Sequence, residues 1–164
     1  MGKKEFIDFM NVKEIINYAV KEYPENIAFT IKNKVGNEVK YDKITYTELY
    51  EQMNAFGTAL LHLGLKGKRI AIIGKNRYEW ILSYITTLNG VGIAVPLDKG
   101  LPEQEIILSL QRSKADVIIF EEGMIDLMKE IKQGNETNLS TYILMDDKKE
   151  EGFLNIKDLR SEER

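Results

Sequence analysis

Arg69-Ile70-Ala71-Ile72-Ile73-Gly74-Lys75-Asn76-Arg77-Tyr78-Glu79-Trp80 opens on a short, unbroken apolar run and then turns polar. Three more such runs follow: Val91 to Val95, Val117 to Phe120 and Tyr142 to Met145, their starts about 20 to 25 residues apart. An apolar run without alternation marks a strand buried on both faces. The stretches between read as helices. Arg77 to Leu88 follows Asn76 as cap, with Glu79 three residues on. Pro102 to Ser113 has proline at its first position and Glu103 and Glu105 in its first turn, where the helix dipole favours acids. Met124 to Lys132 is shorter and ends at Gly134. Strand, helix and strand at this period predict parallel pairing through right-handed crossovers.

Working outward, Asn11 to Tyr23 reads as a helix. Asn11 caps it, Glu14 completes the cap, Val12, Ile15, Ile16 and Ala19 form an apolar stripe, and Pro24 stops it. Ile27 to Ile31 and Glu38 to Ile44 read as strands of a hairpin, with Gly36-Asn37 supplying the positive-φ turn positions. Thr45-Tyr46-Thr47-Glu48 is a capping box. The helix it opens runs to about Leu63, with Leu49, Met53, Phe56, Leu60 and Leu63 on one face and Gly64 just past its end. The fold class is therefore α/β: a mostly parallel sheet of four or more strands with helices on both faces, plus an amino-terminal β-hairpin. Residues 1–164 read as one domain with its core at about 11–145. Residues 146–164 read as a charged loop and end, with a helix starting in Phe153 to Leu159, and as the site of a truncation.

With 164 residues the chain can bury roughly two thirds of its unfolded surface. Hydrophobic residues at 43% and charged residues at 30% exclude a disordered chain. A net charge of −3 with no basic block gives nucleic-acid binding no support. No apolar run reaches the roughly 18 residues of a membrane helix. Met1 to Phe9 lacks the apolar region of a signal peptide, so the cytoplasm is the expected compartment. The absence of cysteine excludes disulfides, thiolate metal sites and cysteine nucleophiles.

Several motifs suggest chemistry and fail on context. Gly64-Leu65-Lys66-Gly67-Lys68 is too short for a phosphate loop, has Arg69 where Ser or Thr belongs, and leads into a strand. Gly90-Val91-Gly92 precedes a strand rather than opening a helix, so its glycines serve a close turn and not a pyrophosphate. His62, the single histidine, lies on a helix surface with no nucleophile or acid to join it. Asn135-Glu136-Thr137 and Asn138-Leu139-Ser140 match a glycosylation pattern by chance. The acidic pairs Glu121-Glu122 and Asp146-Asp147 read as solvated loop residues rather than cation ligands.

Two loops rise above this background: Gly74 to Trp80 after the first core strand, and Val95 to Pro102 after the second. Open α/β sheets bind ligands beyond the carboxyl ends of their strands, and both loops run into helix amino termini. The plainer reading, favoured for the individual side chains, makes Asn76 and Pro102 caps and Trp80 a core aromatic.

Three ordered segments carry a resemblance. Ile44-Thr45-Tyr46-Thr47-Glu48-Leu49 is similar to the T-Y-x-E-L helix start of the adenylate-forming (AMP-dependent synthetase and ligase) superfamily. Arg69 to Trp80 resembles that family's first core strand and loop. Asn89-Gly90-Val91-Gly92-Ile93-Ala94-Val95-Pro96-Leu97 resembles its G-A-x-x-V-P-L strand, with Glu103 to Lys114 as the helix after it. Asn76-Arg77-x-Glu79-Trp80 resembles the long-chain fatty acyl-CoA synthetases more than the peptide-synthetase branch.

The resemblance implies an amino-terminal piece of a fatty acid–CoA ligase. The parent would use ATP and Mg2+ to form an acyl-adenylate from a fatty acid, and then CoA to form the thioester. Family members hold the phosphates with a Ser/Thr/Gly-rich loop ending in lysine; residues 1–164 contain none. The chain alone is therefore expected to be inactive, with no catalytic residue, no metal ligand and no bound cofactor. Its expected partner is the carboxyl-terminal remainder of the same polypeptide. The face left for that remainder would be an exposed apolar patch or would be buried in a homodimer. Asp98 and Lys99, in the loop after the second core strand, are the candidates for lining a CoA path. Two other readings stay open: a stand-alone module that binds a nucleotide or acyl group without chemistry, and an interaction domain.

Overall fold

A computed structural model describes residues 7–36 and 38–161. The Asn37 turn position, the first six residues and the charged end at 162–164 lie outside the described residues. Residues through Tyr50 form one unit and residues from Glu51 a second, the boundary falling inside a helix.

In the first unit, helix α1 (Val12–Glu22) starts where expected. The Asn11 side chain accepts from the Glu14 amide at 3.0 Å, and the Glu14 carboxylate accepts from the Met10 amide at 2.8 Å. No residue of α1 is buried, so its apolar stripe does not form core. Strands β1 (Ile27–Val35) and β2 (Glu38–Thr45) make an antiparallel hairpin, and Gly36 has φ 62°. The strands outrun the expected ones because Lys32 and Lys34 pair through their backbones with Tyr41 and Val39, which side-chain hydropathy does not report. Helix α2 (Tyr46–His62) begins at the capping box. The Thr45 amide donates to Glu48 at 2.7 Å, and the Glu48 amide donates back to Thr45 Oγ1 at 3.2 Å.

The rest of α2 belongs to the second unit, where Met53, Phe56, Ala59 and Leu60 are buried. Gly64, at φ 76°, ends the helix, and the Leu65 amide bonds back to the Leu60 carbonyl at 3.1 Å. That turn leaves Leu63 exposed and puts Leu65 in the core, correcting the expected apolar face by one member.

The main sheet comprises β3 (Arg69–Ile73), β4 (Ile93–Leu97), β5 (Val117–Phe120), β6 (Thr141–Leu144) and β7 (Leu154–Asn155). Their order is β4-β3-β5-β6-β7 and every pairing is parallel. Each of β3, β5 and β6 is buried along nearly its whole length, as its unbroken apolar run requires. One face of the sheet, carrying Ala71, Ile73, Ile118, Phe120, Tyr142 and Leu144, packs on Ile106 and Leu110 of α4 (Glu103–Ser113) and on Leu127, Met128 and Ile131 of α5 (Ile125–Gly134). The opposite face is buried too, with α3 (Tyr78–Thr86) against β3.

β4 departs from expectation. It is the edge strand, Ile93 is 54% exposed, and its run is not buried on both faces. Pro96 fits such an edge, where a missing amide costs no ladder bond. The strand also starts two residues later than Val91. Thr87–Val91 is instead a wide π-type turn in which Gly90 adopts φ 109°. Gly92 then passes so close to Lys68 that a Cβ there would lie 2.3 Å from the Lys68 carbonyl oxygen. These glycines serve the close helix-to-strand turn read from the sequence.

Helix boundaries shift elsewhere. Arg77, not Asn76, is the N-cap of α3 and makes no side-chain cap bond. Pro102 precedes α4 as its N-cap rather than occupying the first turn. The turn Glu122–Met124 leads into α5, and Asn135, with φ 51°, closes that helix in place of Gly134. The largest difference lies in the stretch read as a charged loop. There β7 extends the sheet, and the helix expected to start in Phe153 to Leu159 is α6 (Ile156–Arg160), which buries Ile156 and Leu159 in place of a solvated end. Gln52 Oε1 accepts from both Tyr78 at 3.2 Å and Arg160 at 3.1 Å, joining α2, α3 and α6. Among the described residues no helix is long and apolar enough to cross a membrane.

Candidate functional site

The chain leaves β3 toward β4 on one side and leaves β5 toward β6 on the other. With right-handed crossovers, α3 falls on one face and α4 and α5 on the other, so the loops after β3 and β5 diverge. Such a divergence opens a crevice at the carboxyl edge of the sheet. Gly74-Lys75-Asn76, Asp98-Lys99 and Glu121 all stand there, at the ends of β3, β4 and β5.

Glu121 ties these ends together. It is 8% exposed. Its Oε2 accepts from the Lys75 amide at 3.0 Å, and its Oε1 lies 3.3 Å from Lys99 Nζ. Lys99 therefore reaches from β4, past the end of β3, to the end of β5. Asp98 is exposed and turned inward on its own loop, its Oδ1 accepting from the Gly100 amide at 2.8 Å. An open cleft of about 340 Å³ lies between the first two loops, lined by Lys75, Asn76, Trp80, Leu97, Asp98 and Lys99. A second, of about 330 Å³, has Leu101, Ile106, Met124 and Leu127 on its walls. Lys99 borders both, as the two clefts share it.

The next stretch of the same edge is held by Arg77. It pairs with Asp146 and, through Nε at 2.6 Å, with Glu79. Burial pulls the Arg77 guanidinium toward lower pKa, but the hydrogen bonds it donates to Asp146 and Glu79 outweigh it and hold the group above its ordinary value. Asp146 also accepts from the Glu122 amide at 2.6 Å. The loops after β3, β5 and β6 are thus clamped by charge-assisted bonds.

The structure brings the two loops singled out in the sequence onto one cleft. It does not make Trp80 a core residue: Trp80 is half-buried, stacked on Tyr84 at 5.4 Å between ring centroids, while Tyr78 takes the buried place. Glu121 and Asp146, read as solvated members of acidic pairs, are the two carboxylates that organise the edge. The signal was available: each follows an apolar strand at or next to its carboxyl end.

The remaining motifs stay away from this edge. His62 is exposed at the end of α2, and Gly64 to Lys68 forms a helix-to-strand loop. That loop leads into a strand, so it offers no helix terminus for phosphates. Among the described residues no three His, Asp or Glu side chains converge to hold a metal ion. The described residues do not by themselves fit a Mg2+ site.

Known proteins share this architecture. The long-chain-fatty-acid–CoA ligase 5 of Mus musculus is 30% identical over 111 residues, 65% of this chain and 16% of the ligase. A mycosubtilin synthase polypeptide of Bacillus subtilis is 28% identical over 145 residues, 83% of this chain and 5% of the synthase. The crystal structure of the anthranilate CoA ligase AuaEII with anthranoyl-AMP superposes on 98% of this chain and 29% of its own, with a TM-score of 0.78 at 20% identity, a likeness of fold. The chain therefore spans a small part of the relatives it matches. Its residues 16–163 match the AMP-binding enzyme family, and with nearly the whole sequence accounted for by that match, the chain belongs to it.

Proposed function

We propose that this segment is the amino-terminal scaffold of a cytoplasmic fatty acid–CoA ligase, and that its loop at Asp98 and Lys99 lines the path of CoA. The observation that carries the first part is the family match over 16–163 together with 30% identity to a long-chain-fatty-acid–CoA ligase. The reaction would join a fatty acid to AMP from ATP and then transfer the acyl group to the CoA thiol. In this reading the chemistry that needs phosphate and metal ligands belongs to the rest of the polypeptide, where the Ser/Thr/Gly-rich loop ending in lysine would lie.

Two features support the CoA path. The cleft lies at the carboxyl edge of the parallel sheet, between the loops after β3 and β4, and two lysines line it, Lys75 and Lys99. An anionic ligand with a flexible arm suits an open groove edged with ammonium groups. Asp98, turned onto Gly100, shapes the loop.

ATP–pyrophosphate exchange by the complete polypeptide that carries this segment tests the reading, over a panel of fatty acids and amino acids. Fatty-acid-dependent exchange, followed by thioester formation with CoA, is the expected result. Exchange driven by amino acids and not by fatty acids would overturn the proposal. Residues 1–164 alone should give no exchange.

A further inference from the structure

Glu121 is nearly buried, yet it has no reacting group within reach in the described structure. A buried carboxylate is costly unless its oxygens are satisfied. Here each oxygen has one partner, and the two come from different loops: the Lys75 amide from the β3 loop and the Lys99 ammonium from the β4 loop. The Lys99 side chain is 41% exposed, so the bond anchors the amine without removing it from solvent. Lys99 has four rotatable bonds and, without an anchor, would sample the open water above both clefts.

We propose that Glu121 is a positioning residue that fixes the Lys99 ammonium on the wall shared by the two clefts, ready for an anionic group of the ligand. The proposal rests on the reading of Lys99 as part of the CoA path. Its geometry makes a sharp variant available. Glu121→Gln removes the charge that holds Lys99 and leaves one acceptor oxygen where the carboxylate gives the Lys75 amide and the Lys99 ammonium one each.

The test uses the complete polypeptide, with Glu121→Gln, Lys99→Met and the double variant. Two readouts are taken: the rate of Lys99 acetylation by a water-soluble anhydride, followed by mass spectrometry, and the KM values for CoA, ATP and fatty acid. Glu121→Gln should raise Lys99 labelling about threefold. It should also raise KM for CoA about three- to tenfold while moving kcat and the other KM values less, and the double variant should be no worse than Lys99→Met. A purely structural role would move all parameters together and would overturn the proposal. Unchanged labelling in Glu121→Gln would also overturn it, whatever Lys99→Met does. If Lys99→Met leaves KM for CoA unchanged, the CoA reading fails. Faster labelling in Glu121→Gln would still establish the anchoring of Lys99.

Discussion

Gly92 shows how one residue can fix the join between a helix and a strand. Its φ of −167° is ordinary extended backbone, so conformational freedom is not what it supplies. What matters is space: a Cβ would lie 2.3 Å from the Lys68 carbonyl oxygen, and that carbonyl accepts the Ile93 amide at 2.9 Å. Both partners are backbone and cannot swing away. Gly92→Ala should therefore cost about 1–3 kcal/mol, the range for overpacking a fixed site. Urea unfolding of the variant checks this; a midpoint within error of the parent's would show that the turn yields. Glu121 works at the same scale toward the opposite end of the sheet, where the question is charge rather than volume.

Among the elements, the amino ends of β3, β5 and β6 are knit by Asp116. Its Oδ2 accepts from the Arg69 amide at 2.9 Å, Lys68 Nζ lies 3.1 Å from Oδ1, and its carbonyl accepts from the Ser140 amide at 2.9 Å. The Arg69 amide lowers the Asp116 pKa most, against a smaller opposing effect of burial and with help from Lys68. A carboxyl lowered in the folded state stabilises above its unfolded pKa, near about 3.9, and loses that contribution as pH falls through the folded value. Asp116→Asn should thus be less stable than the parent at neutral pH, with the gap narrowing below about pH 4. Unfolding midpoints measured from pH 7 to pH 3 test this. A gap that widened in acid would contradict it.

The element scale is also where the sequence was most legible. Val117 to Phe120 matches β5 because a central parallel strand must be apolar on both faces, and Thr45 with Glu48 fixes the start of α2. β4 misled for the same reason. Its apolar run looks central, but edge position depends on which strands pair, and no local pattern encodes that. β7 was hidden because two residues suffice to pair with β6, and its surroundings are charged. At the candidate site the two loops were legible from strand order. Glu121 and Asp146 were not, because acidic residues in a polar run look solvated until their partners, from distant loops, are in place.

At the scale of the whole molecule, parallel direction is what makes a site conceivable. Because β3, β4 and β5 all point the same way, their following loops meet at one edge, and Lys99 can reach Glu121 past Lys75. Reverse one strand and these residues would stand at opposite ends of the sheet. The same direction sets the β4 loop beside the β3 loop, and the cleft and the proposed CoA path depend on that pairing. Cross-strand nuclear Overhauser contacts in a uniformly labelled sample read this directly. The account predicts that Ile119 neighbours Ile72 on one side and Ile143 on the other in a parallel pattern, and that Ala71 neighbours Val95 likewise. Strong α-proton to α-proton contacts between any of these strand pairs, the mark of antiparallel pairing, would contradict it.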